Sequence, residues 1–202
     1  MYDISYCQAA GTVEVLKKNG AGGIIVRNGY LSKTDTMWYT HIKEAVLQKI
    51  PMLGTYTYIM ARTIGEAIEE ANNTLYRISN CAAEKNINMP VYLDFEDARA
   101  GQGKDRDANT DIILSEAQII ADAGFNVGIY TNYNYIQNYI DLSRIMRCYP
   151  KCSLWLADYR SIPYNPAYPV DIWQRGVKKY NLDEYDYNEC YVDFAKRYVK
   201  FR

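Results

Sequence analysis

Histidine is nearly absent. His41 is the only one among 202 residues, and it falls inside a segment, 35–48, whose apolar spacing predicts a helix. A histidine-based triad or a His-rich metal site would rest on that one poorly placed ring, and His41 is expected at the surface. No apolar run approaches the roughly 20 residues that cross a bilayer. The start Met1-Tyr2-Asp3 has neither the basic stretch nor the apolar core of a leader peptide. Neither a membrane partner nor a signal peptide in the given chain is therefore expected. Charge of one sign is also missing in excess: 23 Lys and Arg face 24 Asp and Glu, which argues against nucleic acid as a partner. The Gly-x-Gly-x-x-Gly, P-loop and Gly-x-Ser-x-Gly patterns do not occur. Gly20-Ala21-Gly22-Gly23 precedes an apolar run where a phosphate loop would follow one, so no nucleotide cofactor is indicated. The five cysteines are an odd number. Cys148 and Cys152 lack Cys-x-x-Cys spacing and a nearby His, so reduced thiols without zinc are expected.

What the chain has in plenty is tyrosine. Its 21 residues offer flat faces with a hydroxyl edge, which suit sugar rings as well as a Tyr-rich core. At this length one core can be filled, and a single domain over 1–202 is expected. Apolar β-rich runs alternate with segments of helical period. Residues 24–26 precede a helix over 35–48, 52–59 precede 63–84, and 91–93 precede 111–122, with Gly124 as the stop. Residues 127–130 precede a short helical stretch, 133–140, and 154–157 and 172–173 follow. Strand, helix, strand in repetition implies a mostly parallel sheet covered by helices, either a barrel or a doubly wound sheet. In both, ligand sites collect at the carboxyl ends of the strands. Asp3, Arg27-Asn28, Tyr56, Tyr58, Asp94, Glu96, Tyr130-Thr131-Asn132, Asp158-Tyr159 and Gln174 stand at such ends. Segment 98–109, rich in Gly and charge, reads as an irregular loop bordering the site.

In Pro90-Val91-Tyr92-Leu93-Asp94-Phe95-Glu96 an apolar strand closes in two carboxylates. Two residues apart, they share one face at about 6.5 Å along the backbone. Neighbouring carboxyls in different environments can divide labour, one held protonated, as glycosidic cleavage requires. Taken alone, a solvated or salt-bridged strand end is the commoner reading of such a pair. Trp155 and Trp173 read as core aromatics or as platforms beside a sugar cleft, with core expected for at least one.

Eight segments in order carry a resemblance. Asp3-Ile4-Ser5-Tyr6-Cys7-Gln8, the strand from Gly23 to Gly29 with Asp35 after it, Gly54-Thr55-Tyr56-Thr57-Tyr58 and Leu93-Asp94-Phe95-Glu96 come first. Gly128-Ile129-Tyr130-Thr131, Leu154-Trp155-Leu156-Ala157-Asp158-Tyr159, Ile172-Trp173-Gln174 and Asp186-Tyr187-Asn188 complete the set. Together they resemble family 25 of the glycoside hydrolases, the Chalaropsis-type lysozymes of bacteria, fungi and phage endolysins. The resemblance implies a modified α/β barrel of the TIM type, mostly parallel with an irregular C-terminal part. It also implies cleavage of the β-1,4 bond between N-acetylmuramic acid and N-acetylglucosamine in bacterial peptidoglycan, at the cell wall, without metal or cofactor, and a monomer is expected.

By position, Glu96 is expected as general acid and then base, and Asp94 as the group that steadies positive charge or orients the substrate's acetamido oxygen. Asp3 and Asp186 are expected to flank them, with Tyr56, Tyr58, Tyr130, Trp155 and Gln174 lining the groove. Two positions depart from the family's pattern: Thr57 stands where His is usual and Arg175 where an aromatic is common. The missing imidazole is expected to alter the pH optimum. The rival readings are a barrel that binds wall glycan without turnover and an unrelated enzyme in which Asp94 and Glu96 hold a metal.

Overall fold

The structure, a computed structural model, describes residues 1–81, 83–101, 105–160, 168–180 and 183–197. The chain runs β1 (Tyr2–Ile4), α1 (Thr12–Lys18), β2 (Gly23–Tyr30), β3 (Lys33–Thr34), α2 (Trp38–Leu47), β4 (Met52–Tyr58) and α3 (Ile64–Ser79). It continues with β5 (Val91–Asp94), α4 (Ala98–Gly101), α5 (Arg106–Asp122), β6 (Val127–Asn132), α6 (Tyr133–Asn138) and α7 (Leu142–Cys148). Last come β7 (Ser153–Ala157), β8 (Ile172–Tyr180), β9 (Asp183–Cys190) and α8 (Phe194–Arg197). No described helix is long and apolar enough to cross a membrane.

Eight strands close a barrel in the order β1-β9-β8-β7-β6-β5-β4-β2, with β2 pairing back onto β1, while β3 is a short arm on β2. All pairings around the ring are parallel except those of β9, which runs against both β8 and β1. This is the irregular C-terminal part expected from the resemblance. Its cause is local: β9 pairs directly with β8, Tyr180 opposite Asp183, without the crossover helix that a parallel neighbour needs.

Alternation along each strand separates two apolar layers. Ile25, Tyr56, Tyr92, Tyr130, Trp155 and Ile172 belong to one buried cluster that fills the barrel. Ile24, Val26, Leu53, Val91, Leu93, Ile129, Leu154 and Leu156 belong to the other, under the helices. Part of the tyrosine surplus is thus core: the Trp155 ring meets Tyr56 and Tyr92 edge-on at 5.8 and 5.3 Å and Tyr130 at 4.4 Å. Gly128 makes room for this packing, because a Cβ there would lie 2.4 Å from the Tyr92 ring.

The helix ends explain where the sequence reading of boundaries missed. Thr63, Asp105, Asn132 and Asp141 cap α3, α5, α6 and α7 through side chains that accept from Glu66, Ala108, Tyr135 and Arg144 N–H. Helix α5 therefore starts at Arg106, and segment 98–109 is largely helical rather than irregular, with 102–104 outside the described residues. Helices α1 and α7, seven residues each, are too short for a periodicity to stand out.

His41 is fully buried, contrary to its expected surface place. It lies on the stripe Trp38, His41, Ile42, Ala45 of α2, the i, i+3, i+4, i+7 positions that face a core. Its Nε2 sits 3.2 and 3.1 Å from the carbonyl oxygens of Ser5 and Gln8, so the ring anchors the turn that follows β1.

Candidate active site

At the carboxyl ends of the strands lies a cleft of about 510 Å³ bounded by Asp3 from β1, Asp94 closing β5, Glu96 two residues on and Asp186 from β9. Tyr56, Tyr130, Trp155 and Gln174 line it as well, and so do Asn132, Asp158 and Tyr159. Asp3, the neighbouring pair Asp94 and Glu96, and Asp186 thus meet in one cavity with Asp158, and no Lys, Arg or His is among the described residues that line it. Tyr58 does not join them. Its hydroxyl donates to Asp97 Oδ2 at 2.9 Å, and its ring lines an adjoining cavity.

A chain of hydrogen bonds fixes the floor. Trp155 Nε1 donates to Asn188 Oδ1 at 2.7 Å, and Asn188 Nδ2 donates to Asp3 Oδ2 at 2.7 Å. Gln174 Nε2 donates to the same oxygen at 3.1 Å, while its Oε1 accepts from the hydroxyls of Tyr130 and Tyr159 at 2.9 and 3.0 Å. Asp94 has no such support: its Oδ1 is buried without a hydrogen-bond partner among the described residues.

Burial and crowding push these carboxyls toward their neutral forms. Asp3 is raised to about 7, by burial and then by Asp186. Asp94 is raised well above the ordinary range by burial, then by Glu96 and Asp3. Glu96 is raised by burial, against the opposing pull of the Asn132 amide and the Tyr130 hydroxyl. Asp186 is raised by burial. The next acid along the chain behaves oppositely: hydrogen bonds from Arg99 hold Asp97 down at about 2. A cleft of this kind retains a proton near neutrality and can hand it to a substrate oxygen, while its remaining carboxylates face any positive charge that develops.

Asn132 is a site residue that the sequence reading placed at a strand end without giving it a role. Its Oδ1 caps α6 by accepting from Tyr135 N–H at 3.1 Å, and its side chain favours the charged form of Glu96. Thr57 requires a correction. It points to the face of β4 opposite Tyr56, fully buried, with its hydroxyl donating to Gly29 O at 3.4 Å. A histidine there would not line the cleft, so the expected effect on the pH optimum loses its basis. Arg175, the other departure, stacks its guanidinium 4.6 Å from the centre of the Trp173 ring and pairs with Glu189. Trp173 itself is buried, its Nε1 donating to Asp158 O at 2.5 Å.

The profile of glycosyl hydrolases family 25 matches residues 2–181. The chain belongs to this family. It is 25% identical over 193 residues to a lysozyme of Streptococcus phage Cp-9, across 95% of this chain and 53% of that protein. The fold is shared with the CTP1L endolysin at a TM-score of 0.80 and 24% identity, over 97% of this chain and 67% of the other. The autolysin LytC of Streptococcus pneumoniae, solved with a synthetic peptidoglycan ligand, aligns at a TM-score of 0.69 and 27% identity, over 89% and 42%. The family 25 chain spans about half the length of the curated relatives it matches.

Proposed function

We propose that this family 25 chain is a peptidoglycan hydrolase that cuts the β-1,4 bond between N-acetylmuramic acid and N-acetylglucosamine. The observation that carries the reading is the meeting of Asp3, Asp94, Glu96 and Asp186 in one cleft lined by no cation among the described residues. The peptidoglycan ligand of LytC supports the choice of substrate. Glu96 gives its proton to the bridging oxygen as the bond from the sugar's anomeric carbon to that oxygen breaks. Asp94, which lines the cleft and has one buried oxygen without a partner among the described residues, steadies the positive charge or holds the acetamido N–H so that the acetamido oxygen shields the anomeric carbon. Water then adds at that carbon and its proton returns to Glu96, so the net change is hydrolysis. Asp3 and Asp186 flank the pair, and Tyr56, Tyr130, Trp155 and Gln174 shape the wall beside the sugar.

The chain acts at the bacterial cell wall as a single catalytic domain and as a monomer, with neither metal nor cofactor in the reaction. Release of reducing sugar ends from purified walls is expected from the wild type, also in a chelator, and to fall at least about 100-fold in Glu96→Gln. Tight binding of wall fragments without new ends, at any pH, would favour a binding barrel instead.

A further inference from the structure

We propose that the cavity next to the acid cleft is a subsite for the acidic peptide arm of the substrate, an inference that rests on the hydrolase reading. This cavity, of about 710 Å³, is walled by Tyr6, Tyr30 and Tyr58 and by three cations, Arg27, Lys33 and Arg99. It shares the strand ends of the cleft: Arg27 is the register partner of Tyr56, and Tyr58 that of Asp94. A glycan held against Asp94 and Glu96 therefore has its nearest side branches at this wall.

The charges favour an anion here. Asp35 is the only acid among the described residues lining the cavity, and its oxygens are already taken. Oδ2 accepts from Tyr6 N–H at 3.0 Å and Arg27 Nε at 2.8 Å, and Oδ1 accepts from Met37 N–H at 2.9 Å. Asp97, behind Arg99, is likewise occupied by Arg99 and Tyr58. Lys33 is exposed, its ammonium 5.7 Å from the Tyr30 ring centre and in no ion pair among the described residues. A carboxylate branching from the sugar meets unspent positive charge here, whereas no cation lines the acid cleft next door among the described residues. The peptides carried by N-acetylmuramic acid in peptidoglycan have such carboxylates, and the tyrosine faces cover their apolar parts. The bulge between Arg27 and Gly29 builds the wall. Asn28 Nδ2 ties it to Tyr56 O at 2.8 Å, and Gly29, at φ +154°, lets Lys33 O approach where a Cβ would lie at 2.1 Å.

The test is affinity, measured by calorimetry on Glu96→Gln, for a disaccharide peptide with free carboxylates and for the same compound with those carboxylates amidated. The free acid is expected to bind about fivefold tighter, and a further Lys33→Glu change to abolish the preference while Lys33→Arg keeps it. Equal affinities in the Lys33 protein, or an equal loss for both compounds in Lys33→Glu, would overturn the subsite. Turnover is read separately with the wild type on glycan strands stripped of peptide. A chain that prefers the free acid but makes no new ends keeps the subsite and loses the hydrolase reading; one that cuts without any carboxylate preference does the reverse.

Discussion

Asp3 and Asp186 are register partners across the antiparallel β1–β9 pair. Directly opposite residues of such a pair share a face with Cβ atoms about 5 Å apart, so the one reversed strand of the barrel brings an acid against the acid of the first strand. Their repulsion adds to burial in raising Asp3 to about 7. The closing strand thereby helps to keep a proton in the cleft.

The pH profile follows from the partners of Glu96. Its folded pKa is raised, and a general acid fails once it loses its proton, so kcat/KM falls as pH rises through that value. Asp186→Asn removes a like charge and is expected to move this alkaline limb to lower pH. Asn132→Ala removes an amide that favours the charged carboxylate and is expected to move it to higher pH. Profiles of the two variants shifted in the same direction would contradict this assignment of forces.

A second carboxyl pair lies away from the cleft. Glu70 of α3 is buried and accepts N–H bonds from Leu31 at 2.5 Å, Met60 at 3.1 Å and Ala61 at 3.0 Å. Glu116 of α5 faces it, fully buried, with no N–H or hydroxyl donor among the described residues. Both are raised by burial, Glu116 well above its ordinary value. Where the unfolded chain has released the proton and the folded chain keeps it, stability falls as pH climbs, by about 1.4 kcal/mol for each unit spanned. Glu116→Gln, which keeps the shape and a donor for Glu70, is expected to flatten that slope. Thermal midpoints should therefore favour the variant at pH 8 and not at pH 4; parallel curves would show that Glu116 is not the group responsible.

Gly128→Ala should cost about 1–3 kcal/mol of stability. The added methyl meets the Tyr92 ring at 2.4 Å, and that ring is wedged against Trp155 with its hydroxyl 3.0 Å from Ser153 Oγ. Urea unfolding with an unchanged midpoint would mean that the barrel core yields more easily than its packing implies.

Asp94 and Glu96 close an apolar run, which alone was a weak signal; it was the ordered set of eight segments that singled them out together with Asp3 and Asp186, and the four line one cleft. The alternation of strands and helices forecast a mostly parallel sheet, barrel or doubly wound, and the resemblance pointed to the closed form that is found. Other positions were hidden by contacts distant in sequence. Tyr58 has the spacing of Tyr56, yet its hydroxyl goes to Asp97, 39 residues away. Thr57 could have been assigned outward from the two-residue period once Tyr56 was placed inward. His41 stood on an apolar stripe that the same periodicity reveals, but a lone imidazole invites a surface reading. Nothing local marks Asn188 as the link from Trp155 to Asp3.

The central claim is tested most directly by mass spectrometry of fragments released from purified peptidoglycan and reduced with borohydride, for wild type and Glu96→Gln. Muramitol ends from the wild type, and none above background from Glu96→Gln, are the predicted result. Glucosaminitol ends would move the cut to the other glycosidic bond, and equal muramitol from both proteins would remove Glu96 as the acid.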